Sequence, residues 1–266
     1  KRKKINMIGC IIQARMGSTR LPGKTLKLID GQTSMLKFQL DQLHFSDKVK
    51  KIVIATTTLE EDDVIVDFCK KNNFEYYRGS SNDVLDRYYQ CAKKFNFSTI
   101  VRITPDNPLI DPQIVDQVIS LFINSKSDYV GNEHPKTFPL GFAVDVFSFN
   151  SLEKSWTEAK LPSEREHVTP YMYKNKNLFK TENHSYEKNM SNIRCTVDTI
   201  YDFKLIEKVI KKIKTKPIYL ENVLTLFYNE PELLKINSHV KHDGYERSLN
   251  EDTQFLNSNE KNKSRF

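Results

Sequence analysis

The stretch that decides the fold runs from residue 7 to residue 24 and reads MIGCIIQARMGSTRLPGK. Its first part, Met7 to Ile12, is a short apolar run of the kind that forms a buried strand. The run ends in a loop with two glycines, two hydroxyls and three cations, which are Arg15, Arg20 and Lys24. Glycines let backbone N–H groups approach phosphate oxygens, and the cations add charge-assisted hydrogen bonds. The pattern predicts a strand that delivers a phosphate-binding loop; a solvated basic turn is the alternative.

Strand and helix patterns alternate through the first 130 residues. We predict strands at 8–12, 51–56, 74–77 and 98–103, and helices at 34–43, 60–73, 82–95 and 112–123. The run at 51–56 is continuous and β-branched, as in strands that are buried on both faces. This alternation predicts an α/β fold, with a mostly parallel sheet and helices on both faces.

The pattern loosens after Lys126. We predict short strands at 129–130, 142–149 and 193–197, and helices at 151–158, 164–174, 201–213 and 219–229. The segment 246–266 is rich in polar residues with little periodicity, so we expect a mobile tail there. The expected organisation is one domain at 7–245, made of a nucleotide-binding half (7–130), a small α+β region for the acceptor and dimerisation (131–198) and C-terminal helices (199–245).

Composition narrows the class of protein. The 266 residues carry a net charge of +7, but 41 basic and 34 acidic side chains are interspersed. Dedicated nucleic-acid binders concentrate basic charge, so a small anionic ligand explains the excess better. No stretch approaches the ~20 apolar residues of a membrane span, and the apolar run after the basic start is too short for a signal peptide. Four separated cysteines favour neither zinc nor disulfides, so we expect a soluble cytoplasmic protein.

Two aspartates follow predicted strands. Asp106 stands between prolines in a stiff turn, which holds a carboxylate in the fixed position that a hard divalent cation requires. Asp198 emerges from another apolar run. Ligands of open parallel sheets bind at the carboxyl ends of the strands, so we expect both carboxylates to face the cationic loop as a magnesium–triphosphate site. The alternative role is a helix cap, for which Asp111 suits better than Asp106, while Asp198 fits a helix that starts near residue 200.

A second polar segment follows the third predicted strand. Arg78, Ser80, Asp86 and Arg87 surround a predicted helix start. Their side chains suit recognition of a base edge or a ribose. The alternative is a helical first turn with a surface ion pair, which contributes little.

A third group of polar residues lies at 162–169. Ser163 with Glu166 fits a capping box, which leaves Arg165 and His167 unexplained. An arginine beside a histidine suits an acidic second substrate, and His167 is also a candidate for assisting proton removal.

Asp145 lies inside a predicted apolar strand. Burial of a carboxylate without a partner is costly. We therefore expect Asp145 to meet a hydroxyl, a cation or a substrate.

Two segments, ARMGSTRLPGK at 14–24 and PDNPL at 105–109, resemble the cytidylyltransferases that make CMP-activated acidic sugars. The nearest branch is the spore coat polysaccharide biosynthesis protein F-like group, and the likeness spans about residues 7 to 250. It extends to RGS at 78–80, DVL at 83–85, SEREHVTP at 163–170 and TVDT at 196–199.

The resemblance implies a nucleotide-diphosphosugar-transferase-like, Rossmann-like fold, with CTP as donor and a CMP-linked product. It implies that Arg15, Ser18, Arg20 and Lys24 hold the triphosphate, that Asp106 and Asp198 hold Mg²⁺, and that the segment 78–87 helps to choose cytosine. One departure concerns CMP-Kdo synthetases, which carry Gly-Asp-Glu-Pro where this chain has Pro105-Asp106-Asn107-Pro108. Asn107 removes a charge there, and Pro105 stiffens the turn.

The candidate site therefore has four parts. The catalytic candidates are Arg15, Lys24 and Asp106, and the metal candidates are Asp106 and Asp198. The candidates for nucleotide binding are Ala14, Arg15, Gly17, Ser18, Arg20, Lys24, Arg78, Ser80, Asp86, Arg87, Thr104, Pro105 and Asn107. The candidates for acceptor binding are Asp145, Arg165, Glu166 and His167.

The expected activity is transfer of CMP from CTP to an acidic sugar or similar small acceptor, with release of pyrophosphate, for a surface polysaccharide or glycoconjugate. The expected partners are these small molecules and a second copy of the chain, with no membrane, and nucleic acid is disfavoured. Three alternatives stay open: a glycosyltransferase that uses a preformed nucleotide sugar, a nucleotide-binding domain without catalysis and, third, a nucleic-acid binder, which a steep salt dependence of DNA or RNA binding would favour.

Overall fold

The computed structural model of the chain describes residues 7–241 and 244–263. The basic start, Lys1 to Lys4, and the last three residues of the expected tail lie outside the described residues. Within them, seven strands form one sheet in the order β3-β2-β1-β4-β6-β5-β7. The strands are β1 (Ile8–Gln13), β2 (Lys51–Thr57), β3 (Glu75–Gly79), β4 (Thr99–Ile103), β5 (Tyr129–Gly131), β6 (Asp145–Ser148) and β7 (Thr181–Asn183).

The sheet is mostly parallel, as predicted. Strands β3, β2, β1 and β4 run parallel to one another, whereas β6 is antiparallel to both β4 and β5. Ile12 pairs with Ile54 on one side and with Ile103 on the other. The carboxyl ends of these three strands therefore lie level, and the loops that follow them meet at one edge of the sheet.

Helices cover both faces of the sheet, which confirms the predicted layers. Cys10, Ile12 and Ile54 belong to one buried apolar cluster, while Ile11 and Val53 belong to another. Neighbouring residues of a strand point to opposite faces, so the two clusters lie on opposite sides. The helices are α1 (Met35–Leu43), α2 (Asp63–Lys71), α3 (Val84–Lys94), α4 (Pro112–Ser125), α5 (Phe149–Glu158), α6 (Pro162–His167), α7 (Pro170–Lys174), α8 (Ile200–Lys212), α9 (Leu220–Asn229) and α10 (Gly244–Lys263).

Short polar side chains begin several of these helices. Asp111 accepts a hydrogen bond from the backbone N–H of Gln113, which confirms it as the N-cap of α4. The N-cap of α3 is Asp83, one residue after the predicted start of this helix at residue 82. Thr199 caps α8, so Asp198 is free of the capping role that was its alternative.

Three predicted elements differ in the structure. The expected strand 193–197 forms a single bridge, between Leu140 and Arg194, because its apolar residues are buried without a neighbouring strand. The expected strand 142–149 is shorter, since β6 begins at Asp145. The expected helix 164–174 divides into α6 and α7 at Val168, whose φ of 71° ends the first helical segment.

The C-terminal segment is helical where we expected a tail without regular structure. Residues 244–263 form α10, which packs against α6 and buries Ser248 and Asp252. Its buried side chains are polar and are satisfied by residues far away in the sequence. A search for apolar periodicity therefore misses this helix.

No helix in residues 7–241 or 244–263 is long and apolar enough to cross a bilayer. All four cysteines are buried and unpaired. Burial raises the pKa of Cys69, Cys91 and Cys195 to about 12, so these thiols stay protonated at neutral pH.

Candidate active site

The loop after β1 is held in place by buried contacts. The backbone N–H of Ala14 donates to the carbonyl of Ala55 at 3.0 Å, which continues the strand pairing into the loop. The backbone N–H of Met16 donates to Asp62 at 2.7 Å, and the hydroxyl of Thr57 donates to the same carboxylate. Asp62 is fully buried, and sequence reasoning missed it. In the sequence, Asp62 stands among other acidic residues at a predicted helix start, and nothing there indicates this separate role.

A cavity of about 810 Å³ opens at the carboxyl edge of the sheet, where this loop begins. Most of the predicted site residues line it, from the loop after β1, helix α3, the turn after β4, helix α6 and the segment before α8. They are Ala14, Arg15, Gly17, Ser18, Arg20, Lys24, Arg87, Thr104, Pro105, Asp106, Arg165, Glu166, His167 and Asp198. Five predicted residues do not line it: Arg78, Ser80, Asp86, Asn107 and Asp145.

Asp198 is the centre of a group of charges. Lys24 Nζ lies 3.0 Å from its Oδ1 and donates to the carbonyl of Val197 at 2.7 Å. Arg20 lies 3.0 Å from Oδ1, and Arg194 lies 2.8 Å from Oδ2. Burial acts to raise the pKa of Asp198, but these cations outweigh burial and hold the pKa below its usual value. The predicted meeting of Lys24 and Arg20 with Asp198 is therefore present, although no strand precedes Asp198.

The turn that carries Asp106 lies against the same segment. The backbone N–H of Val197 donates to the carbonyl of Asp106 at 2.8 Å. The hydroxyl of Thr104 donates to the Asp106 carboxylate at 2.5 Å and accepts from the amide of Asn107 at 3.0 Å. Asn107 is buried behind the turn, so its role is to brace Asp106.

Asp106 and Asp198 are the two carboxylates that the sequence predicted for a magnesium ion, and both line the cavity. No group of three or more His, Cys, Asp and Glu residues within residues 7–241 and 244–263 could hold a metal. Magnesium is commonly bound by one or two carboxylates, with phosphate oxygens and waters completing the shell. The two carboxylates on adjoining backbone segments match that donor set in number and kind, although both oxygens of Asp198 already contact cations.

Arg78 braces the connection between β2 and α2. Its Nε donates to the carbonyl of Thr57 at 2.8 Å, and another nitrogen donates to Leu59 at 3.0 Å. Its remaining nitrogen lies 2.6 Å from Asp63. These three contacts involve all three nitrogens of the guanidinium group and hold it outside the cavity.

The other residues of the 78–87 segment divide between the cavity and the core. Ser80 accepts from the backbone N–H of Asp83, and Asp86 accepts from the indole of Trp156 at 2.8 Å. Arg87 does line the cavity, although it is only 1 % exposed and donates to the carbonyl of Ser80 at 2.8 Å. Burial lowers the pKa of Arg87, which remains a cation at neutral pH.

Arg165 ties α6 to α3. Its Nε donates to the carboxylate of Asp83 at 3.0 Å, and a terminal nitrogen donates to the carbonyl of Trp156 at 2.7 Å. The predicted capping box of Ser163 and Glu166 is wrong. Glu164 fills that role because its carboxylate accepts from the N–H of Leu161 at 3.1 Å.

Glu166 and His167 face the C-terminal helix. The hydroxyl of Ser248 lies 2.7 Å from the Glu166 carboxylate and 2.9 Å from Nε2 of His167. Burial lowers the pKa of His167 to about 4. The imidazole is therefore neutral at pH 7 and is a weak base, which favours a hydrogen-bonding role over proton removal.

Asp145 lies behind the cavity wall and meets both of the partners expected of a buried carboxylate. Arg102 lies 2.8 Å from one oxygen, and the hydroxyl of Tyr129 donates to the other at 2.6 Å. Arg102 itself lines the cavity and was missed in the sequence. Its signal was an arginine inside the apolar strand β4, which pairs in register with Asp145.

Comparison with known proteins places this geometry in context. A family model described as cytidylyltransferase matches residues 9–236. Uncharacterized protein MJ1063 of Methanocaldococcus jannaschii is 40 % identical over 238 residues, which are 88 % of this chain and 96 % of that protein. Spore coat polysaccharide biosynthesis protein SpsF of Bacillus subtilis is 33 % identical over 236 residues, 86 % of this chain and 97 % of that protein. The solved structure of a cytidylyltransferase from Leptospira borgpetersenii has a TM-score of 0.83 and 36 % identity, and the match covers 88 % of this chain and 99 % of that one.

Proposed function

The chain belongs to the cytidylyltransferase family and is therefore a nucleotidyltransferase, and from that premise we propose that it transfers CMP from CTP to an acidic sugar or a similar small acid. The observation that carries this proposal is the meeting of the loop cations with two aspartates in one cavity at the strand ends. The name of the SpsF relative supports a product that serves a surface polysaccharide or glycoconjugate.

In the proposed reaction an acceptor oxygen forms a bond to the α-phosphorus of CTP. The bond from that phosphorus to the oxygen bridging to the β-phosphate breaks, and pyrophosphate leaves with the electron pair. Such chemistry depends mainly on positioning and on stabilisation of charge. Lys24 and Arg20, which pair with Asp198, are the groups we assign to the leaving pyrophosphate. Arg15 is exposed in the same wall and makes no ion pair with a described residue, so it can bind phosphate at no cost in existing contacts.

We assign Asp106 and Asp198 to magnesium. When bound, magnesium would supply positive charge that offsets the phosphate oxygens. The chain's own part is to hold both carboxylates still. The Thr104 hydroxyl fixes Asp106, and the Val197 N–H joins the two segments.

We place the acceptor at the end of the cavity that α6 forms. Glu166 and His167 line this end, and both contact Ser248. A neutral histidine and a carboxylate suit hydrogen bonds to sugar hydroxyls.

The test is pyrophosphate release from CTP, UTP, ATP and GTP, each with magnesium, against sugar acids and small carboxylated or phosphorylated acceptors. We expect release with CTP and an acid. A glycosyltransferase would instead consume a nucleotide sugar without forming pyrophosphate. A domain that only binds nucleotides would bind CTP and release no pyrophosphate with any acceptor.

We also propose that the enzyme works in the cytoplasm and as a homodimer. Four unpaired buried cysteines fit a reducing compartment. Sedimentation of the full chain tests the second point, and a monomer mass at assay concentrations would contradict it.

A further inference from the structure

Two polar side chains of neighbouring strands line the cavity on one face of the sheet. Gln13 is the last residue of β1, Arg102 lies in β4, and both line the cavity. Arg102 pairs in register with Ile11, which is two positions before Gln13. Side chains two positions apart in a strand point to the same face, so Gln13 and Arg102 lie on one face, with Cα atoms roughly 8 Å apart. They therefore border the same part of the cavity.

Arg102 has hydrogen-bonding capacity that the protein does not use. Its Nη1 donates to Asp145 at 2.8 Å, and within residues 7–241 and 244–263 this is the single hydrogen bond of the guanidinium. Nε is buried without a partner, so Nη2 is the nitrogen that stays open to a molecule in the cavity. A buried donor without a partner costs about 1–3 kcal/mol. A guanidinium that keeps two unpaired nitrogens at a cavity wall indicates an oxygen ligand.

The amide of Gln13 shows the same excess of unpaired atoms. Its Oε1 is buried without a hydrogen-bond partner, and its Nε2 makes no hydrogen bond to any residue that the structure describes. An apolar side chain of similar size would fill this position without the cost of an unpaired polar atom. The amide is therefore of no use to the fold, and it lines the cavity where a ligand can reach its donor.

Arg102 is held from behind as a fixed cation. One oxygen of Asp145 binds Arg102, and the other accepts from the hydroxyl of Tyr129 at 2.6 Å. Burial acts to lower the pKa of Arg102, but Asp145 outweighs burial and raises the pKa above its usual value. The guanidinium is therefore charged at any pH at which the protein is folded, and its orientation is set before a ligand arrives.

The position of Arg102 favours the acceptor over the nucleotide base. In the sheet, β4 and β6 lie on one side of β1, whereas β3 and the segment 78–87 that follows it lie on the other. Burial is the main cause of the low pKa of His167, and the charge of Arg102 acts in the same direction. Arg102 is therefore near His167, at the end of the cavity where we place the acceptor.

We propose that Gln13 and Arg102 bind the acidic group of the acceptor and thereby select an acid over its neutral analogue. The assignment rests on the proposed function, because it needs an acceptor beside bound CTP. A guanidinium nitrogen donates a charge-assisted hydrogen bond, and an amide nitrogen adds a neutral one. Both suit the oxygens of a carboxylate or a phosphate. Asp145, a candidate for acceptor binding in the sequence, then acts through Arg102 as a positioning residue.

The test measures acceptor binding to the full chain with Gln13→Leu, Gln13→Glu and Arg102→Lys. Each protein is saturated with magnesium and α,β-methylene CTP, which cannot release pyrophosphate. It is then titrated calorimetrically with a sugar acid, a sugar phosphate of similar size and the corresponding neutral sugar. The arm that binds, carboxylate or phosphate, identifies the acidic group.

We expect the Kd for the acid to rise about threefold or more in Gln13→Leu and about tenfold or more in Arg102→Lys. Gln13→Glu should raise it at least tenfold, because a carboxylate there repels the acid and competes for Arg102. In Gln13→Leu and Arg102→Lys, the Kd for α,β-methylene CTP should change less than about twofold. The preference for the acid over the neutral sugar should fall in all three variants.

The variants are chosen to remain folded. Gln13→Leu removes a buried atom that has no partner, so its melting temperature should not fall below that of the wild type. Arg102→Lys keeps a cation for Asp145, whereas an alanine would leave a buried carboxylate unpaired. Gln32→Leu and Gln32→Glu are the matched controls, since Gln32 is exposed and does not line the cavity. Both should keep the wild-type Kd values.

Each remaining outcome contradicts the proposal. Equal binding of the acid by wild type and Gln13→Glu would overturn it. So would a loss of affinity for α,β-methylene CTP as large as the loss for the acid, which would place these side chains at the nucleotide. Absence of acid binding to the wild type beside the bound analogue would also overturn it. Failure of the wild type to bind the CTP analogue would instead remove the proposed function itself.

Discussion

Two walls of the same cavity are built in different ways. The strand-end wall consists of residues 13–24, 104–106 and 198, and its loop cations meet an aspartate directly. The helical wall consists of residues 160–167 and 247–251, and hydrogen bonds through Ser248 join its two segments. The strand-end wall places two cations against its own carboxylate, that of Asp198. In the helical wall, contacts between segments that are distant in the sequence define the shape of the adjoining part of the cavity.

This difference predicts that substitutions in the two walls act on different quantities. Loss of charge in the strand-end wall should slow the reaction, because charge develops on the leaving pyrophosphate in the transition state. Loss of a hydrogen bond in the helical wall should alter stability and acceptor binding, and should leave CTP affinity nearly unchanged.

Lys24→Ala should have the largest effect. Removal of one preorganised electrostatic donor costs about 2.7–4 kcal/mol of barrier, so turnover should fall on the order of a hundredfold or more. Steady-state pyrophosphate release measures this change. Lys27→Ala is the matched control, since Lys27 is exposed and does not line the cavity. Near-normal turnover of Lys24→Ala would remove this lysine from the mechanism.

His167 should make the helical wall sensitive to acid. Burial lowers the pKa of His167 from 6.5 to about 4, so between these values the unfolded chain binds a proton that the folded chain does not. The contribution of the neutral imidazole to the free energy of unfolding is complete above pH 6.5 and is lost as the pH falls toward 4. The loss is at most about 1.4 kcal/mol per pH unit. Urea unfolding across this range measures the slope.

The control for this slope is a pair of variants. His167→Gln should flatten the dependence on pH, while the exposed His44→Gln should leave it as in the wild type. An equal slope in wild type and His167→Gln would show that other groups cause the acid sensitivity.

The strand-end wall could be predicted because the sequence patterns that produce it are local. An apolar run followed by a glycine-containing cationic loop predicts both β1 and the position of Lys24, and parallel strands bring their carboxyl ends together. The same reasoning predicted that Asp106 and Asp198 face this loop. It failed for 193–197, where burial produces an apolar pattern without a paired strand.

The helical wall could not be predicted because the contacts that form it join residues far apart in the sequence. Ser248 lies more than eighty positions from Glu166 and His167 in the chain, and no local pattern links them. Local reasoning assigned Ser163 to a helix cap, whereas its hydroxyl donates to Asp252 of α10. In the sequence, polar residues whose hydrogen-bond partners come close only on folding look like the residues of a solvated tail.

Ser248→Ala tests whether this contact holds the helical wall together. The variant loses two hydrogen bonds, so the free energy of unfolding should fall by about 1–2 kcal/mol. Hydrogen exchange of the α10 amides should become faster, because the helix opens more often. Ser258→Ala is the matched control, since Ser258 is exposed on α10 and its hydroxyl donates to the Phe255 carbonyl. Unchanged exchange in Ser248→Ala would mean that Asp252 alone anchors the helix.

Arg78→Ala should have the smallest effect on nucleotide binding. It tests whether the strand-end wall includes Arg78. The structure uses its guanidinium to brace Thr57, Leu59 and Asp63, outside the cavity. We therefore expect the Kd for CTP to change less than about twofold, and stability to fall by about 1 kcal/mol. Calorimetric titration with CTP measures the first quantity, and Arg15→Ala, which should weaken CTP about tenfold or more, shows that the assay responds. A tenfold loss in Arg78→Ala would mean that the segment after β3 reaches the bound cytosine through a movement of its loop, and the strand-end wall would then extend to Arg78.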